Sequence, residues 1–294
     1  LEETLNLAWQ HLVAKHGRPV CTADGTVCDT GFAVIAYGKL GGLELGYGSD
    51  LDLVFLHSGE SESLETRGSK PIPLGVFFAR LGQRMMHILG AFTPAGVLFE
   101  VDTRLRPDGA AGMLVSSLAA YEAYQTEKAW TWEHQALVRA RVVAGDPMIA
   151  ERFEAIRRRV LSRQRDLSVL RNEVLEMREK MRSSLDKSNA DQFDVKQGPG
   201  GIVDIEFMVQ YGVLAHAHAH PALVDYTDNI RILERLAQAG VMTQEDAGFL
   251  SDTYRTYRDS THRLKLQEQP TVVPVGDFVV QREGVRRIWA AWLE

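Results

Sequence analysis

Apolar positions along the chain change their spacing from the first half to the second. Two short apolar runs, 32–37 and 51–57, flank a loop dense in glycine, and runs of this kind are typical of strands. A further strand is predicted over 97–107, where Pro107 would end it. Beyond about residue 115 such runs nearly vanish, so the sheet is expected in the first half.

Segments with helical periodicity lie before, between and after these predicted strands. Leu5, Trp9 and Leu12 predict a lead-in helix, and residues 76–89 predict another helix after the second strand. In the second half, apolar residues recur every three or four positions in several segments, namely 167–185, 202–219, 229–239, 245–267 and 285–292. Strands that alternate with helices favour an α/β or α+β first domain, and the second half predicts a helical bundle.

Composition and charge fit an ordinary folded protein. Of the 294 residues, 45% are hydrophobic and 24% are charged, which disfavours disordered, collagen-like and disulfide-scaffold proteins. The net charge of −6 would repel nucleic acid and anionic lipid, so neither is expected as a partner. No apolar run reaches the roughly 18–20 residues that span a bilayer, and the first residues do not resemble a secretion signal.

Cysteine usage and the first residue add two expectations. The only cysteines, Cys21 and Cys28, match no zinc-binding spacing, and two in a chain of this length fit a reducing compartment. We therefore expect a cytoplasmic protein. Because the sequence begins at Leu1 rather than methionine, we also expect it to be part of a longer chain.

The strongest chemical signal lies at the start of the second predicted strand. Gly48 and Ser49 form a turn that leads into Asp50 and, two residues later, Asp52. Side chains two residues apart on a strand share a face and lie about 6.5–7 Å apart along the backbone. Two carboxylates so placed can share a pair of divalent ions about 3.5–4 Å apart. An isolated pair of this kind is also common at a solvated strand edge, so further residues must decide between the two interpretations.

A later acidic position comes with two arginines. Asp102 lies on the third predicted strand, and Arg104 and Arg106 follow at the same parity, so one strand face would carry a carboxylate and two guanidinium groups. Carboxylates bind hard cations such as Mg²⁺, and guanidinium groups donate paired hydrogen bonds to phosphate oxygens. Together with Asp50 and Asp52, this combination is what phosphoryl or nucleotidyl transfer needs.

The glycine-dense loop has two open interpretations. Gly38, Gly41 and Gly42 match neither the P-loop nor the dinucleotide-binding pattern. They either form a tight turn, with Lys39 at the surface, or bring backbone N–H groups and the Lys39 ammonium close to a triphosphate.

Four ordered blocks carry a resemblance to a known family. These blocks are 32–57, 99–114, 129–147 and 193–207, and they closely resemble bacterial glutamine synthetase adenylyltransferases, the bifunctional adenylylating and adenylyl-removing enzymes. The similarity extends from about Gly31 to the end of the chain. Such enzymes have two homologous nucleotidyltransferase halves. Within the second and third blocks, residues 106–114 and 131–147 resemble the C-terminal, adenylylating half more than the other half.

The resemblance implies an α+β fold in which a DNA-polymerase-β-like nucleotidyltransferase palm is followed by an all-helical bundle domain. The domains are expected over 1–30 for a lead-in helix and loop, 31–160 for the nucleotidyltransferase and 161–294 for the helical domain. It also implies that a tyrosine hydroxyl of glutamine synthetase attacks the α-phosphorus of ATP in line, with two metal ions, and that pyrophosphate leaves. This reaction would control nitrogen assimilation.

The same resemblance implies individual residue roles. The catalytic, metal-binding acids would be Asp50, Asp52 and Asp102, with Glu100 as the alternative for the third, and Asp102 is also a candidate to accept the tyrosine proton. The cation would be Mg²⁺ or Mn²⁺, with ATP as substrate. Residues expected at the nucleotide are Gly48, Ser49, Lys39, Arg104, Arg106, Lys196, Asp204 and Glu206. The implied partners are glutamine synthetase and a PII signalling protein, and glutamine is the implied effector.

The last of the four blocks has a competing structural interpretation. Lys196 begins a glycine-rich turn that opens a helix, with Asp204 and Glu206 in its first turns. The helix dipole alone favours acids at that position. The resemblance favours the nucleotide site instead, so both interpretations stay open.

Four other clusters favour structural roles. In the run from His216 through His218 to His220, only the first and last would share a helix face, so surface histidines are expected and no zinc site. Arg157–Arg159 lies within a turn of two glutamates and predicts a solvated mixed face. Glu133, Arg139 and Arg141 lie in the third matching block and are second-rank candidates for the site, and a helix-surface salt-bridge network would explain them almost as well. Trp289 and Trp292 are expected as core anchors rather than as a docking site.

Two alternatives to the adenylylating half are kept. In the first, the chain is the deadenylylating half, which would use the same acids for phosphorolysis. In the second, it is a catalytically degenerate module that binds PII. The presence of Asp50, Asp52 and Asp102 argues against degeneracy.

Overall fold

The chain divides into two units that differ in secondary structure. A computed structural model describes residues 1–21, 27, 30–59, 64–94, 96–97 and 99–294. Unit 1 contains residues 1–45, 49–129 and 139–160. Unit 2 contains residues 46–48, 130–138 and 161–294. Unit 1 combines a sheet with helices and unit 2 is mainly helical, so the chain is α+β.

The helices and strands are as follows in chain order. The first half contains α1 (Glu2–His16), β1 (Arg18–Pro19), β2 (Phe32–Ala36), α2 (Gly38–Gly41), β3 (Leu51–His57), β4 (Thr66–Arg67), α3 (Leu74–Leu89), β5 (Val101–Asp102), β6 (Val115–Ser117), α4 (Leu118–Glu127), α5 (Thr131–Val138) and β7 (Arg141–Gly145). The second half contains α6 (Pro147–Leu161), α7 (Leu167–Leu185), β8 (Gln192–Asp194), α8 (Ile202–His216), α9 (Asn229–Gln238), α10 (Gln244–Leu266), β9 (Val272–Pro274) and α11 (Val279–Leu293).

The central sheet of unit 1 is built on β3. One edge of β3 pairs with β2 in antiparallel register, and β7 pairs antiparallel with β2. The other edge of β3 is shared, because β5 runs parallel to its first two residues and β6 runs parallel to its last three. In this register Asp52 of β3 lies opposite Asp102 of β5.

Burial explains why the central strands have a continuous apolar sequence. Every residue of β2 is buried, and β3 is buried except for the half-exposed Asp52. One side of the sheet packs against α1 and α3, where the rings of Phe32 and Phe78 stack with centroids 5.9 Å apart. A strand covered on both faces needs no polar alternation.

The structure corrects the strand predictions in two places. Among its described residues, the strand predicted over 97–107 is limited to β5, because the Asp102 carboxylate accepts the Arg104 N–H (2.8 Å) and the chain turns. Four described strands, β6 to β9, lie from residue 115 onward, where strand signals nearly vanish. Such short strands are defined by their partners in the sheet and have too few residues to show a periodic pattern.

The apolar helix α8 lies at the centre of unit 2. Nearly all of its side chains are buried, and it packs against α5, α7, α9, α10 and α11. A helix that is apolar all round belongs in an interior. The helices predicted in the second half are confirmed, although α8 ends at His216 and α11 begins at Val279, before the predicted start.

Side-chain burial tests two of the clusters that were given structural roles. The prediction of a solvated arginine face is wrong for Arg157, whose side chain is 1% exposed and donates to Glu154 (3.2 Å). The prediction of core tryptophans is confirmed for Trp289, which is buried. Trp292 is half-buried, and its ring meets Tyr211 edge-on.

The described residues include one of the two cysteines and all of the helices that could be compared with a membrane span. Cys21 is buried and disulfide-bonded, and Cys28 lies outside the described residues. No helix that the structure describes combines the length and the apolar composition needed to cross a membrane.

Candidate metal and nucleotide site

Three carboxylates of unit 1 meet at one end of the central sheet. Asp50 directly precedes β3, Asp52 is its second residue, and Asp102 is the last residue of β5. One carboxylate oxygen from each residue lies within 4.8 Å of the others. We call these three side chains the carboxylate trio. Among the described residues it is the one cluster of three or more acid, histidine or cysteine side chains that could hold a metal ion.

Backbone pairing on both sides of β3 fixes the trio. The Tyr37 N–H donates to the Asp52 carbonyl (2.9 Å), and the Leu51 N–H donates to the Glu100 carbonyl (2.8 Å). Glu100 thus contributes its backbone, while its side chain is exposed and is not part of the trio. The parallel register of β3 and β5 therefore brings Asp102, rather than Glu100, to the other two acids.

The electrostatics of the trio favour a bound cation. Burial, followed by repulsion from Asp50 and Asp102, raises the pKa of Asp52 to about 6, against the smaller opposing effects of Arg139 and Lys39. Three mutually repelling carboxylates gain most from a multivalent ion. Their hard oxygen ligands suit Mg²⁺ or Mn²⁺, so the residues present fit the metal implied by the sequence.

The two arginines after β5 have different partners. The Arg104 guanidinium donates through Nε to both oxygens of Asp102 (3.1 and 2.8 Å) and also through Nη2. This ion pair is the main cause of a lowered pKa at Asp102. Arg106 instead donates to the carbonyls of Thr103 (2.8 Å), Ala110 (3.1 Å) and Gly112 (3.2 Å). Arg106 therefore holds the loop that follows β5, and it does not share a strand face with Arg104.

The loop before β3 approaches the trio through a glycine. Gly38 has a φ of +53°, and a Cβ at this position would collide with Oδ2 of Asp52. Only glycine fits this backbone conformation and this close approach without strain. Lys39, the next residue, is half-buried on α2 and lowers the pKa of Asp52 through its charge.

The turn that enters β3 contains the two other predicted residues of this region. Gly48 has a φ of +60°, and its carbonyl accepts a hydrogen bond from the Lys265 ammonium within unit 2. Ser49, in unit 1, is buried.

A buried ion pair that the sequence did not reveal supports the glycine loop. Glu44 pairs with Arg139, and each side chain is about 5–6% exposed. Arg141 donates to the carbonyls of Gly41 and Leu40, both at 3.1 Å. Two of the second-rank residues thus hold this loop in unit 1. The one available signal for Glu44 is a lone acid in an otherwise apolar, glycine-rich segment.

Glu133, the third second-rank residue, belongs to unit 2. Its side chain is buried, and its carboxylate accepts the Trp130 N–H (2.9 Å) at the start of α5. Such a contact caps a helix, because the first N–H groups of a helix have no partner within it.

The glycine-rich turn of unit 2 is held by a second buried ion pair. Asp204 is 2% exposed and accepts hydrogen bonds from Arg178 (2.6 Å), Arg182 (3.2 Å) and the Gly200 N–H (2.7 Å). Arg178 also donates to the Gln197 carbonyl (2.7 Å), so one network closes the turn onto α7 and α8. Both oxygens of Asp204 are engaged within unit 2.

The other two predicted residues of that motif have separate surroundings. Glu206 accepts a hydrogen bond from the Tyr254 hydroxyl (3.1 Å), and Lys196 is exposed.

Two family models match successive parts of the chain. The model for glutamate-ammonia ligase adenylyltransferase matches residues 1–156. The model for GlnD PII-uridylyltransferase matches residues 169–271.

Curated relatives match the chain along essentially its whole length. A bifunctional glutamine synthetase adenylyltransferase/adenylyl-removing enzyme of Thioalkalivibrio sulfidiphilus is 60% identical over 294 residues, which is all of this chain and 30% of the relative. The enzymes of the same name from Nitrosococcus oceani and Pseudomonas aeruginosa are 56% and 55% identical, over 100% and 98% of this chain. The chain spans about 30% of the length of these relatives.

The raised pKa of Asp52 predicts a pH-dependent stability. Below about pH 4 this group is protonated in both the folded and the unfolded chain, so it contributes no penalty. Between about pH 4 and pH 6 the unfolded chain ionises this group while the folded chain still holds its proton, so the free energy of unfolding falls across this window and stays at the lower value above it. Without metal, Asp52→Asn should therefore gain about 1–2 kcal/mol over wild type between pH 4 and pH 7.5.

Chemical denaturation of both proteins at several pH values measures this gain. Asp252→Asn, which removes an exposed carboxylate from α10, is the matched control. A difference between Asp52→Asn and wild type that stays the same from pH 4 to pH 7.5 would contradict the raised pKa of Asp52.

The buried network of unit 2 predicts a large loss of stability for Asp204→Asn. The change leaves Arg178 buried with a neutral partner, and breaking a buried ion pair from one side costs about 3–5 kcal/mol. Equilibrium unfolding measures the loss, again with Asp252→Asn as the control. If both variants lose the same small amount, the network does not hold the turn.

Proposed function

Because the chain belongs to the glutamate-ammonia ligase adenylyltransferase family, we propose that it transfers AMP from ATP to a tyrosine hydroxyl of glutamine synthetase and releases pyrophosphate. The names of the curated relatives support the protein substrate and the transferred group. The single observation that carries the proposal is the carboxylate trio, since this chemistry needs a cluster of hard oxygen ligands beside the triphosphate.

The proposed fold of unit 1 is a DNA-polymerase-β-like palm, and unit 2 is the helical domain that accompanies it. A mixed sheet with acids on two adjacent strands supports the palm. We assign the chain to the adenylylating half, on the resemblance of residues 106–114 and 131–147 to that half.

The trio would hold the divalent cation through Asp50, Asp52 and Asp102. Such an ion, Mg²⁺ or Mn²⁺, supplies Lewis acidity toward phosphoryl oxygens and favours ionisation of the attacking hydroxyl. The chain's own contribution is placement: the sheet register fixes the acids before substrate arrives, and Gly38 leaves space beside Asp52.

Cationic side chains near the trio suit a triphosphate. Lys39 is close enough to act on the charge of Asp52, and Arg104 is 79% exposed, so its guanidinium is accessible to an anion. Arginine forms paired hydrogen bonds with phosphate oxygens, whereas lysine contributes a compact charge. In this proposal Arg106 acts indirectly, by holding the loop that carries Arg104.

The proton of the attacking tyrosine needs an acceptor, since its ordinary pKa is about 10. The ion pair with Arg104 lowers the pKa of Asp102 and makes this carboxylate a weak base. In the proposed reaction the acceptor is Asp102, directly or through a water molecule, in the state in which Arg104 no longer pairs with its carboxylate.

Regulation by a PII protein and by glutamine is proposed on narrower grounds. The match of residues 169–271 to the model for GlnD PII-uridylyltransferase supports a link between unit 2 and PII signalling. The glutamine effector rests on the family resemblance.

If Asp102 rather than Glu100 is the third metal ligand, substitutions at these two positions should differ in their effect on the rate of AMP transfer. With ATP, Mg²⁺ and unmodified glutamine synthetase, Asp102→Asn should reduce AMP transfer and pyrophosphate release by about 100-fold or more. Glu100→Gln removes a charge two residues away whose side chain is exposed, so its rate should stay within about 3-fold of wild type.

Three other results would change the assignment. Loss of activity in Glu100→Gln alone would move the third acid to Glu100. If both variants keep full activity, the trio is not the catalytic site. If the folded wild-type chain transfers no AMP but releases ADP from adenylylated glutamine synthetase and phosphate, the chain is the deadenylylating half.

A further inference from the structure

Arg104 forms an ion pair with Asp102, one of the three proposed metal ligands. Its Nε and Nη2 donate to the carboxylate of Asp102, and its backbone N–H donates to Oδ1 of the same group (2.8 Å). The guanidinium therefore covers oxygens that a cation at the trio would also use. A guanidinium and a divalent ion at one carboxylate repel each other, so each lowers the affinity of that carboxylate for the other.

The surroundings of Arg104 leave its side chain free to move. The Arg104 side chain is 79% exposed, while that of Asp102 is 17% exposed, so the arginine reaches over the acid from solvent. Within the part of the chain that the structure describes, every hydrogen bond of the Arg104 side chain goes to Asp102. Arg106 is different, since its guanidinium is tied to three backbone carbonyls of its own loop.

The backbone hydrogen bond of Arg104 holds the loop in place independently of where the guanidinium lies. The Arg104 N–H to Asp102 hydrogen bond holds the chain turn after β5 whether or not the side chain stays paired. The guanidinium can consequently leave Asp102 without unfolding the loop. Arg106 still donates hydrogen bonds to the loop carbonyls of Thr103 and Ala110.

We propose that Arg104 is an internal counter-ion of the trio, which neutralises Asp102 in the metal-free chain and moves to an anionic substrate group when a divalent cation takes that carboxylate. This inference rests on the proposed function, because it assumes that the trio binds the cation. Arg104 then lowers the affinity for metal alone and raises the affinity for a nucleotide that arrives with metal. Metal and nucleotide would bind cooperatively, since each favours the same position of Arg104.

Metal and nucleotide binding, measured separately, test this proposal. Mn²⁺ binding is measured by electron paramagnetic resonance of free Mn²⁺, and nucleotide binding by calorimetry with α,β-methylene-ATP, whose α-phosphate cannot be transferred. In Arg104→Gln, Mn²⁺ alone should bind about 3- to 30-fold tighter, because one competing positive charge is gone from a well-solvated site. The analogue, in the presence of Mn²⁺, should bind about 10-fold more weakly.

Two controls make the outcome specific. Arg84→Gln removes one positive charge from an exposed position of α3 in the same unit and should change neither affinity. Asp52→Asn should abolish Mn²⁺ binding, which establishes that the measured ion sits at the trio. Thermal unfolding and circular dichroism check that each variant is folded.

The results separate failure of this inference from failure of the proposed function. If Mn²⁺ binds wild type but not Asp52→Asn, and Arg104→Gln binds Mn²⁺ equally or more weakly than wild type, Arg104 is not a competing counter-ion and the inference is overturned. If wild type binds no Mn²⁺, or if Asp52→Asn binds it unchanged, the metal site of the proposed function is wrong and the inference falls with it.

Discussion

The pairing of β3 with β5, which brings Asp50, Asp52 and Asp102 together, is the constraint on which the proposed site depends. The register of β3 and β5 places Asp52 opposite Asp102, so the sheet itself forces negative charges together. Burial and then repulsion from Asp50 and Asp102 raise the pKa of Asp52 to about 6, and the opposing charges of Arg139 and Lys39 do not cancel this effect. Acids placed so close together gain the most from a bound cation, and this links the fold to the proposed chemistry.

Much of the fold was predictable because its main elements have strong local patterns. The apolar runs of β2 and β3 and the helical spacing of α7 and α10 were all recognisable in the sequence. The strand β7 was not, because five residues beside a helix become a strand only through pairing with β2. Local pattern is informative for long elements, and partners elsewhere in the chain decide the short ones.

The same distinction applies to the site. The spacing of Asp50 and Asp52 identified an acidic motif, and Asp102 was found because one further acid followed on a predicted strand. Buried ion pairs escaped this reasoning, since Glu44 and Arg139 are far apart in sequence and meet only in the folded chain. Asp204 shows the reverse case: an acid expected at the nucleotide has both oxygens engaged inside unit 2, where it holds a turn.

The most direct test of the central claim is the effect of a divalent cation on the unfolding temperature above pH 7, compared between wild type and Asp52→Asn. If the trio is a cation site held together against its own repulsion, saturating Mn²⁺ should raise the unfolding temperature of wild type by several degrees and leave that of Asp52→Asn nearly unchanged. An equal rise in both proteins would place the ion elsewhere and contradict the account.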